Sequence, residues 1–294
     1  MPSKTICDLE NIEVQMGENT LLKDFSLKID APVILSVISE DESASALLQV
    51  IAGLMNADRG KVKYPSWSAY DKTELAQWIQ YVPDDIVCYR DMKVKQFLHG
   101  IALSESDRDM EEQGLKMCKH FGIDPKEKLL DLTFEQNRLV AMIQAILMKP
   151  NLLLLDRPYD LISQKKYADL LWMLVKLRNV GMSIIIAADS YRDIIMPSDR
   201  YLFIKEGKIV ANYKRKDLPK PAKVITMEGG SLKPMKSSLM TVLYQTKVRS
   251  CILYREQNAK ELMARIYKSG CRNFSVNELS MEEEVFKNYE RWKQ

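Results

Sequence analysis

The chain opens with alternating apolar and polar positions. Residues 6–29, ICDLENIEVQM and TLLKDFSLKI around a turn at Gly17–Asn19, carry the period-two pattern of antiparallel strands. At Val33 the pattern changes. Val33 to Ile38 is a continuous, largely β-branched run, as expected of a strand covered on both faces. Residues 44–54 follow with helical spacing, and Gly53 falls near the helix end. KVKY and IQYVPDD read as short strands. LLLLD at 152–156 and SIIIAAD at 183–189 are two more buried strands, each preceded by a helical pattern, at 136–148 and 163–179. YLFIKEGKIVANY predicts a hairpin around Glu206–Gly207. Residues 91–130 are polar, charged and helical in period, with breaks at Gly100, Gly122 and Pro125, and read as a helical insertion. Strands alternating with helices predict a mainly parallel, three-layer α/β core.

Past that core the texture shifts. Residues 214–224, KRKDLPKPAKV, are rich in lysine and proline and make a natural linker. VITMEG, SCILYRE, a helix NAKELMARIYKSG, a strand NFSVNEL and a helix MEEEVFKNYERWK then predict a small α+β domain over 225–294.

The 294 residues are enough for one large domain and a small one. Apolar residues make up 46% and charged residues 28%, a balance that can bury a full core. A net charge of +3 is too small to argue for nucleic acid. The five cysteines are scattered, without a C-x-x-C, and only two histidines accompany them; reduced thiols are expected rather than a zinc site. MPSKTICDLENIEV has no long apolar stretch, so no signal peptide is expected. No apolar run approaches the ~20 residues that span a bilayer, and a membrane role would act through a partner.

The segment between the first buried strand and its helix has the frame of a phosphate-binding loop, G-x-x-x-x-G-K-[S/T]. In that frame Ile38 and Ser43 stand where the glycines belong, Ala44 where the lysine belongs, and only Ser45 keeps its type. Glycines let backbone N–H groups approach phosphate, and the lysine supplies charge. Here the loop reads Ser39-Glu40-Asp41-Glu42, and its three carboxylates face an incoming polyanion. One like-charge pair at 4 Å costs about 4 kcal/mol at an effective dielectric near 20. Ser39-x-x-Glu42 fits a capping box that would satisfy the helix N–H groups without phosphate. Asp156 and Ser45 are open to a structural reading, a strand-end cap and an early helix residue. The acidic set Glu40, Asp41, Glu42, Asp84 and Asp189 reads as solvated or salt-bridged carboxylates rather than a metal site.

The order of elements over residues 5–213 resembles the nucleotide-binding subunit of an ATP-binding-cassette (ABC) transporter. ALLQVIAGLMNADRGKV, QYVP, LTFEQNRLVAMIQAILMKPNLLLLDRP and DRYLFIKEGKIV carry the resemblance. VNELSMEEEVFKNY is similar to the ending of subunits that serve antibiotic, lipid or peptide exporters. The resemblance implies a P-loop NTPase-like ABC ATPase core over 1–213: a mainly parallel sheet, an antiparallel β subdomain and a helical subdomain at about 91–145. It also implies ATP and Mg²⁺ as the family ligands.

At seven motifs this chain departs from the pattern. Met16 replaces the aromatic that stacks on adenine; a thioether can still pack on a ring. The phosphate loop is emptied. Asp84 replaces the Q-loop glutamine. Asp156 keeps the Walker B aspartate, but Arg157 follows where the general-base glutamate belongs, and a guanidinium cannot accept a proton. The D-loop reads Tyr159 to Ser163 without its closing aspartate. The signature reads Leu132, Thr133, Phe134, Glu135, Gln136, with side chains where two glycines allow close approach. Asp189 replaces the switch histidine. The expectation is a degenerate subunit of an exporter that binds no cofactor and holds no catalytic residue. Arg157 is expected to pair with the acidic loop or with Asp189.

As the resemblance implies, such a subunit would sit on the cytoplasmic face of the cell membrane through a permease, beside a second cassette of the same or another kind. Ile86, Val87, Tyr89 and Met92 lie where family members receive the permease, or are ordinary packing. The alternatives are an interaction protein no longer tied to transport, and a weakly active ATPase.

Overall fold

The computed structural model describes residues 4–64, 72–85, 91–191, 198–220, 222–255, 258–281 and 285. The chain divides into two units, residues 1–215 and 216–294.

Two long strands, β1 (Lys4–Met16) and β2 (Asn19–Ala31), form a hairpin whose register runs from Lys4 opposite Ala31 to Met16 opposite Asn19. β3 (Ile34–Ser39) and α1 (Ser43–Ile51) follow, and β4 (Arg59–Lys63) returns to pair with β1. The small antiparallel sheet has the order β2-β1-β4. α2 (Lys72–Trp78) leads into β5 (Ile79–Val82). Then come α3 (Val94–Ser104), α4 (Arg108–His120) and α5 (Phe134–Leu147). β6 (Leu152–Asp156), α6 (Gln164–Asn179), β7 (Ser183–Ala188) and the pair β8 (Arg200–Lys205) and β9 (Lys208–Lys214) complete the unit.

The six-stranded sheet has the order β5-β6-β7-β3-β8-β9, parallel except for β8 with β9. Every residue of β3, β6 and β7 is buried. This is why those segments read as unbroken apolar runs. Parallel strands need crossovers, and α5 and α6 supply them between β5, β6 and β7. The β8–β9 turn places Glu206 at φ 52° and Gly207 at φ 72°, the two left-handed positions that a tight hairpin demands. A Cβ on Gly207 would stand 3.0 Å from the carbonyl oxygen of Leu21, and Lys23 N–H donates to the Gly207 carbonyl.

The insertion over 91–130 is helical, as its period predicts. Val94, Leu98, Phe121, Ile123, Leu139 and Ile143 form a cluster there, and Met92 is half-buried against it. Ile86, Val87 and Tyr89 lie outside the described residues, as does Cys88. The four described cysteines are free. Among the described residues no helix is long and apolar enough to cross a membrane.

Residues 216–294 hold β10 (Lys223–Glu228), β11 (Met240–Gln245), β12 (Arg249–Tyr254), α7 (Ala259–Ser269) and β13 (Asn273–Glu278). Their antiparallel sheet has the order β11-β12-β10-β13. Ile225, Met227, Ile252, Tyr254, Leu262 and Ile266 make its core. β11 is absent from the sequence reading; its residues are exposed or half-buried, so MTVLYQ shows no buried face to mark it. Nearly all of the closing helix expected at MEEEVFKNYERWK lies outside the described residues.

Candidate functional site

The carboxyl ends of β3, β5, β6 and β7 each deliver a charged residue to one place. Glu42 lies between β3 and α1, Asp84 follows β5, Arg157 follows β6, and Asp189 follows β7. In a parallel sheet this end of the strands is where loops meet at a crevice.

Arg157 is the centre of the arrangement. Its Nε donates to Asp189 Oδ1 at 2.8 Å, one terminal nitrogen to Asp84 Oδ2 at 3.2 Å, and the other to Glu42 Oε1 at 3.3 Å. The guanidinium is largely buried, with 17% of the side chain exposed, while Asp189 and Glu42 are more than half exposed. Burial works against the charge, and the surrounding carboxylates more than offset it, so the guanidinium is held charged more firmly than usual. The backbone is committed as well: Arg157 has φ 43°, and its N–H donates to the Ala187 carbonyl at 3.0 Å. The Arg157 pairing with the loop and with Asp189 that the sequence suggests is present, and Asp84 joins it.

A second arginine supports the first. Arg138, on α5, is 1% exposed. It donates to Asp84 Oδ1 at 2.9 Å and to the Asp84 and Arg157 carbonyls. The Phe134 ring lies 4.9 Å beneath its guanidinium carbon. Asp84 is therefore clamped between two guanidinium groups. Sequence reasoning missed Arg138, because a lone arginine in an apolar helix carries no motif; its signal is its place among Leu139, Val140 and Met142 on a buried helix.

The loop over 39–45 folds differently from the capping box expected of Ser39 and Glu42. The N-cap residue, Glu42, makes no side-chain cap bond, and Asp41 before it satisfies the first helical N–H: its Oδ1 accepts from Ser43 N–H at 2.9 Å and from the Ser39 hydroxyl. The Ser39 hydroxyl accepts in turn from Asp41 N–H at 3.3 Å. Glu42 turns away to Arg157. The physical reason is reach: an Asx-type turn closes over two residues with little side-chain entropy, and the longer glutamate gains more from a charged partner. Burial raises the Asp41 pKa, but the hydrogen bonds from Ser39 and Ser43 outweigh it and hold the carboxyl below its ordinary value. Ala44, at the lysine position, is buried within the core, and Glu40 is exposed.

Ser45 and Asp156 are brought together. Ser45 Oγ donates to Asp156 Oδ1 at 2.8 Å, and Tyr81 hydroxyl donates to Asp156 Oδ2 at 2.9 Å. Burial dominates at Asp156 and raises its pKa against the help of both donors. Burial, with the Asp156 charge behind it, likewise keeps the Tyr81 proton in place.

The signature remnant is satisfied locally. Thr133 and Gln136 form a capping box at the start of α5: Gln136 N–H donates to Thr133 Oγ1 at 3.2 Å, and Thr133 N–H to Gln136 Oε1 at 2.8 Å. Glu135 accepts from Ser163 N–H and from Lys166 Nζ, both at 2.8 Å. Phe134 is 42% exposed, and Met16 is 54% exposed at the end of β1. Among the described residues no group of three or more His, Cys, Asp or Glu side chains is placed to hold a metal ion.

The family profile described as "ABC transporter" matches residues 44–160. The ergothioneine transport ATP-binding protein EgtV of Helicobacter pylori is 30% identical over 183 residues, covering 57% of this chain and 83% of that protein. The galactose/methyl galactoside import ATP-binding protein MglA of Clostridium perfringens is 21% identical over 241 residues, covering 78% of this chain and 47% of that protein. This chain thus spans about half the length of MglA and most of EgtV. Among solved structures, an ATP-binding subunit of an ABC transporter superposes with a TM-score of 0.66 at 16% identity, covering 72% of this chain and 91% of that one.

Proposed function

The chain belongs to the ABC transporter ATP-binding family, and from that premise we propose that this member is a degenerate cassette. It neither binds nor hydrolyses ATP and acts as a structural or regulatory partner of a membrane permease. The observation that carries the reading is the placement of Arg157. A cation that cannot act as a base stands at the general-base position and holds Glu42, Asp84 and Asp189.

Three further features support it. The Ser43 N–H, which would face phosphate in the emptied loop, is taken by Asp41. The lysine position is a buried methyl group. Glu135, at a signature glycine, is bonded to Ser163 and Lys166 rather than left open for a partner's nucleotide. These residues do not fit ATP and Mg²⁺, and no reaction step is assigned to them. An exporter is the kind of transporter proposed, with a second cassette, alike or different, beside this one. Ile86, Val87, Tyr89 and Met92 are the proposed contact with the permease, on the cytoplasmic side of the membrane.

Titration calorimetry of the full chain with Mg-ATP tests the reading. No binding tighter than ~1 mM, about −4.1 kcal/mol, is expected. A tighter site, or phosphate release that is lost in an Asp156→Asn variant, overturns it. Co-expression with candidate permeases tests the partner: after detergent extraction the chain should purify with a tagged permease and not with an unrelated tagged membrane protein.

A further inference from the structure

We propose that one end of the C-terminal unit is a docking surface for an anionic phospholipid bilayer. This inference concerns direct lipid contact and does not rest on the proposed loss of nucleotide binding.

Charge is unevenly distributed along the chain. Residues 216–294 carry 15 Lys and Arg against 9 Asp and Glu, while residues 1–215 carry 28 against 31. Such asymmetry between two parts of a chain marks a polyanionic partner for the basic part. The net charge of +3 conceals it.

The fold gathers part of this charge at one end of the sheet. There β10 ends at Glu228, β13 begins at Asn273 opposite it, and the β11–β12 hairpin turns through 246–248. Backbone bonds tie the three turns together. Gly229 N–H donates to the Val248 carbonyl at 2.7 Å, Arg272 N–H to the Glu228 carbonyl at 2.8 Å, and Ser231 N–H to the Ser269 carbonyl at 2.8 Å. Gly230 lets the turns approach this closely: a Cβ there would stand 2.7 Å from Cys271 N and the Ser269 carbonyl oxygen. The end of α7 is fixed to the same platform through Gly270 at φ 67°.

This platform presents Lys247, Lys268 and Arg272, all exposed and none in an ion pair among the described residues. The acid beside them, Glu228, is already held by Arg249 at 2.8 Å. Next to Lys247 and Lys268 in the chain stand two exposed apolar side chains, Val248 at 72% and Tyr267 at 89%. Met263, one helical turn before Tyr267, is also about half exposed.

The combination selects the partner. Cations alone would suit any polyanion. An exposed aliphatic side chain beside the cations gains nothing from a phosphodiester backbone, but at a bilayer surface it enters the headgroup region. Tyrosine is favoured at that depth, and lysine stems lie along apolar surface with the ammonium in the headgroups. Electrostatic attraction and shallow insertion together give the two signals that stable peripheral binding needs.

Vesicle sedimentation with the full chain tests this, without any permease. Vesicles of equal parts phosphatidylcholine and phosphatidylglycerol should retain the protein, and phosphatidylcholine alone should not. High salt should release it. Lys247→Glu with Lys268→Glu should lower partitioning by about tenfold or more. Val248→Ser with Tyr267→Ser should weaken binding while leaving its salt dependence in place. These side chains are exposed, and circular dichroism checks that each variant is folded. Failure to bind the anionic vesicles overturns the proposal, as does wild-type binding by the variants. Tighter binding of random duplex DNA than of the vesicles also overturns it, and assigns the surface to nucleic acid.

Discussion

Arg157 Nε stands 2.8 Å from Asp189 Oδ1, joining the residue after the Walker B aspartate to the residue at the switch position. Two substitutions that look unrelated 32 positions apart are one ion pair. Taken singly, an arginine in place of a base and an aspartate in place of a histidine are losses. As a pair, with Asp84 and Glu42 as further partners, they bind the ends of four strands to one another.

The backbone at Arg157 separates its two contributions. Arg157→Ala removes the guanidinium from three carboxylates and keeps the left-handed φ of 43°. Asp189 and Glu42 are mostly solvated, so the loss falls chiefly on Asp84. A decrease of about 1–3 kcal/mol in urea unfolding is expected. Arg157→Gly removes the same charge but relieves the strain, and should be the more stable of the two by roughly 1 kcal/mol. Equal stabilities would refute the strain.

Arg138 is the more buried arginine and the more costly to change. Arg138→Met fills similar volume but leaves Asp84 Oδ1 and two backbone carbonyls without their donor. A loss of about 3–5 kcal/mol is expected. Arg138→Lys should recover little, because an ammonium cannot present the planar fork that reaches Asp84 and the Arg157 carbonyl together. Chemical denaturation of the two variants side by side decides it. A lysine variant as stable as the wild type would show that charge alone suffices.

The parallel core was legible in the sequence because burial on both faces leaves no choice of residue: Val33 to Ile38, LLLLD and SIIIAA can be little else. The emptied loop was legible because a fixed spacing made Ala44 and Arg157 stand out. What stayed hidden depends on side-chain reach and on solvent. Asp41 and Glu42 are neighbours of like charge, and no pattern says which satisfies the first helical N–H and which pairs with a cation 115 residues away. Tyr81, which supports Asp156, lies on an ordinary strand. β11 hides because it buries no face.

The hydrogen bonds at Asp41 give the loop a pH dependence with a definite sign. Its carboxyl is held below the ordinary value near 3.8 in the folded chain, so folding favours the ionised form. That stability is fully present above pH ~4 and is lost as pH falls through the folded value. Asp41→Ala should cost about 1 kcal/mol at neutral pH, the usual worth of a hydrogen bond such as that from Ser43 N–H. The gap between variant and wild type should close in mildly acidic urea titrations below pH ~4. A gap that persists undiminished at low pH would mean that the side chain acts by packing, not by its charge.

Restoring the lysine tests whether the phosphate loop is one substitution from function. Ala44 is buried at the first turn of α1, and its neighbours on the loop side are Asp41, which holds Ser43 N–H, and Glu42, which holds Arg157. A lysine ammonium introduced there meets Glu42 and Asp41 before it meets any phosphate, and an internal salt bridge neutralises it. The glycine positions still carry Ile38 and Ser43, so the backbone cannot close around a phosphate group. Ala44→Lys should therefore leave Mg-ATP binding weaker than ~1 mM by titration calorimetry, and combining it with Ile38→Gly and Ser43→Gly should be the first step that changes the outcome. Micromolar binding by the single variant would show that the loop backbone already has a nucleotide-ready shape, and that the missing charge was the whole of the difference.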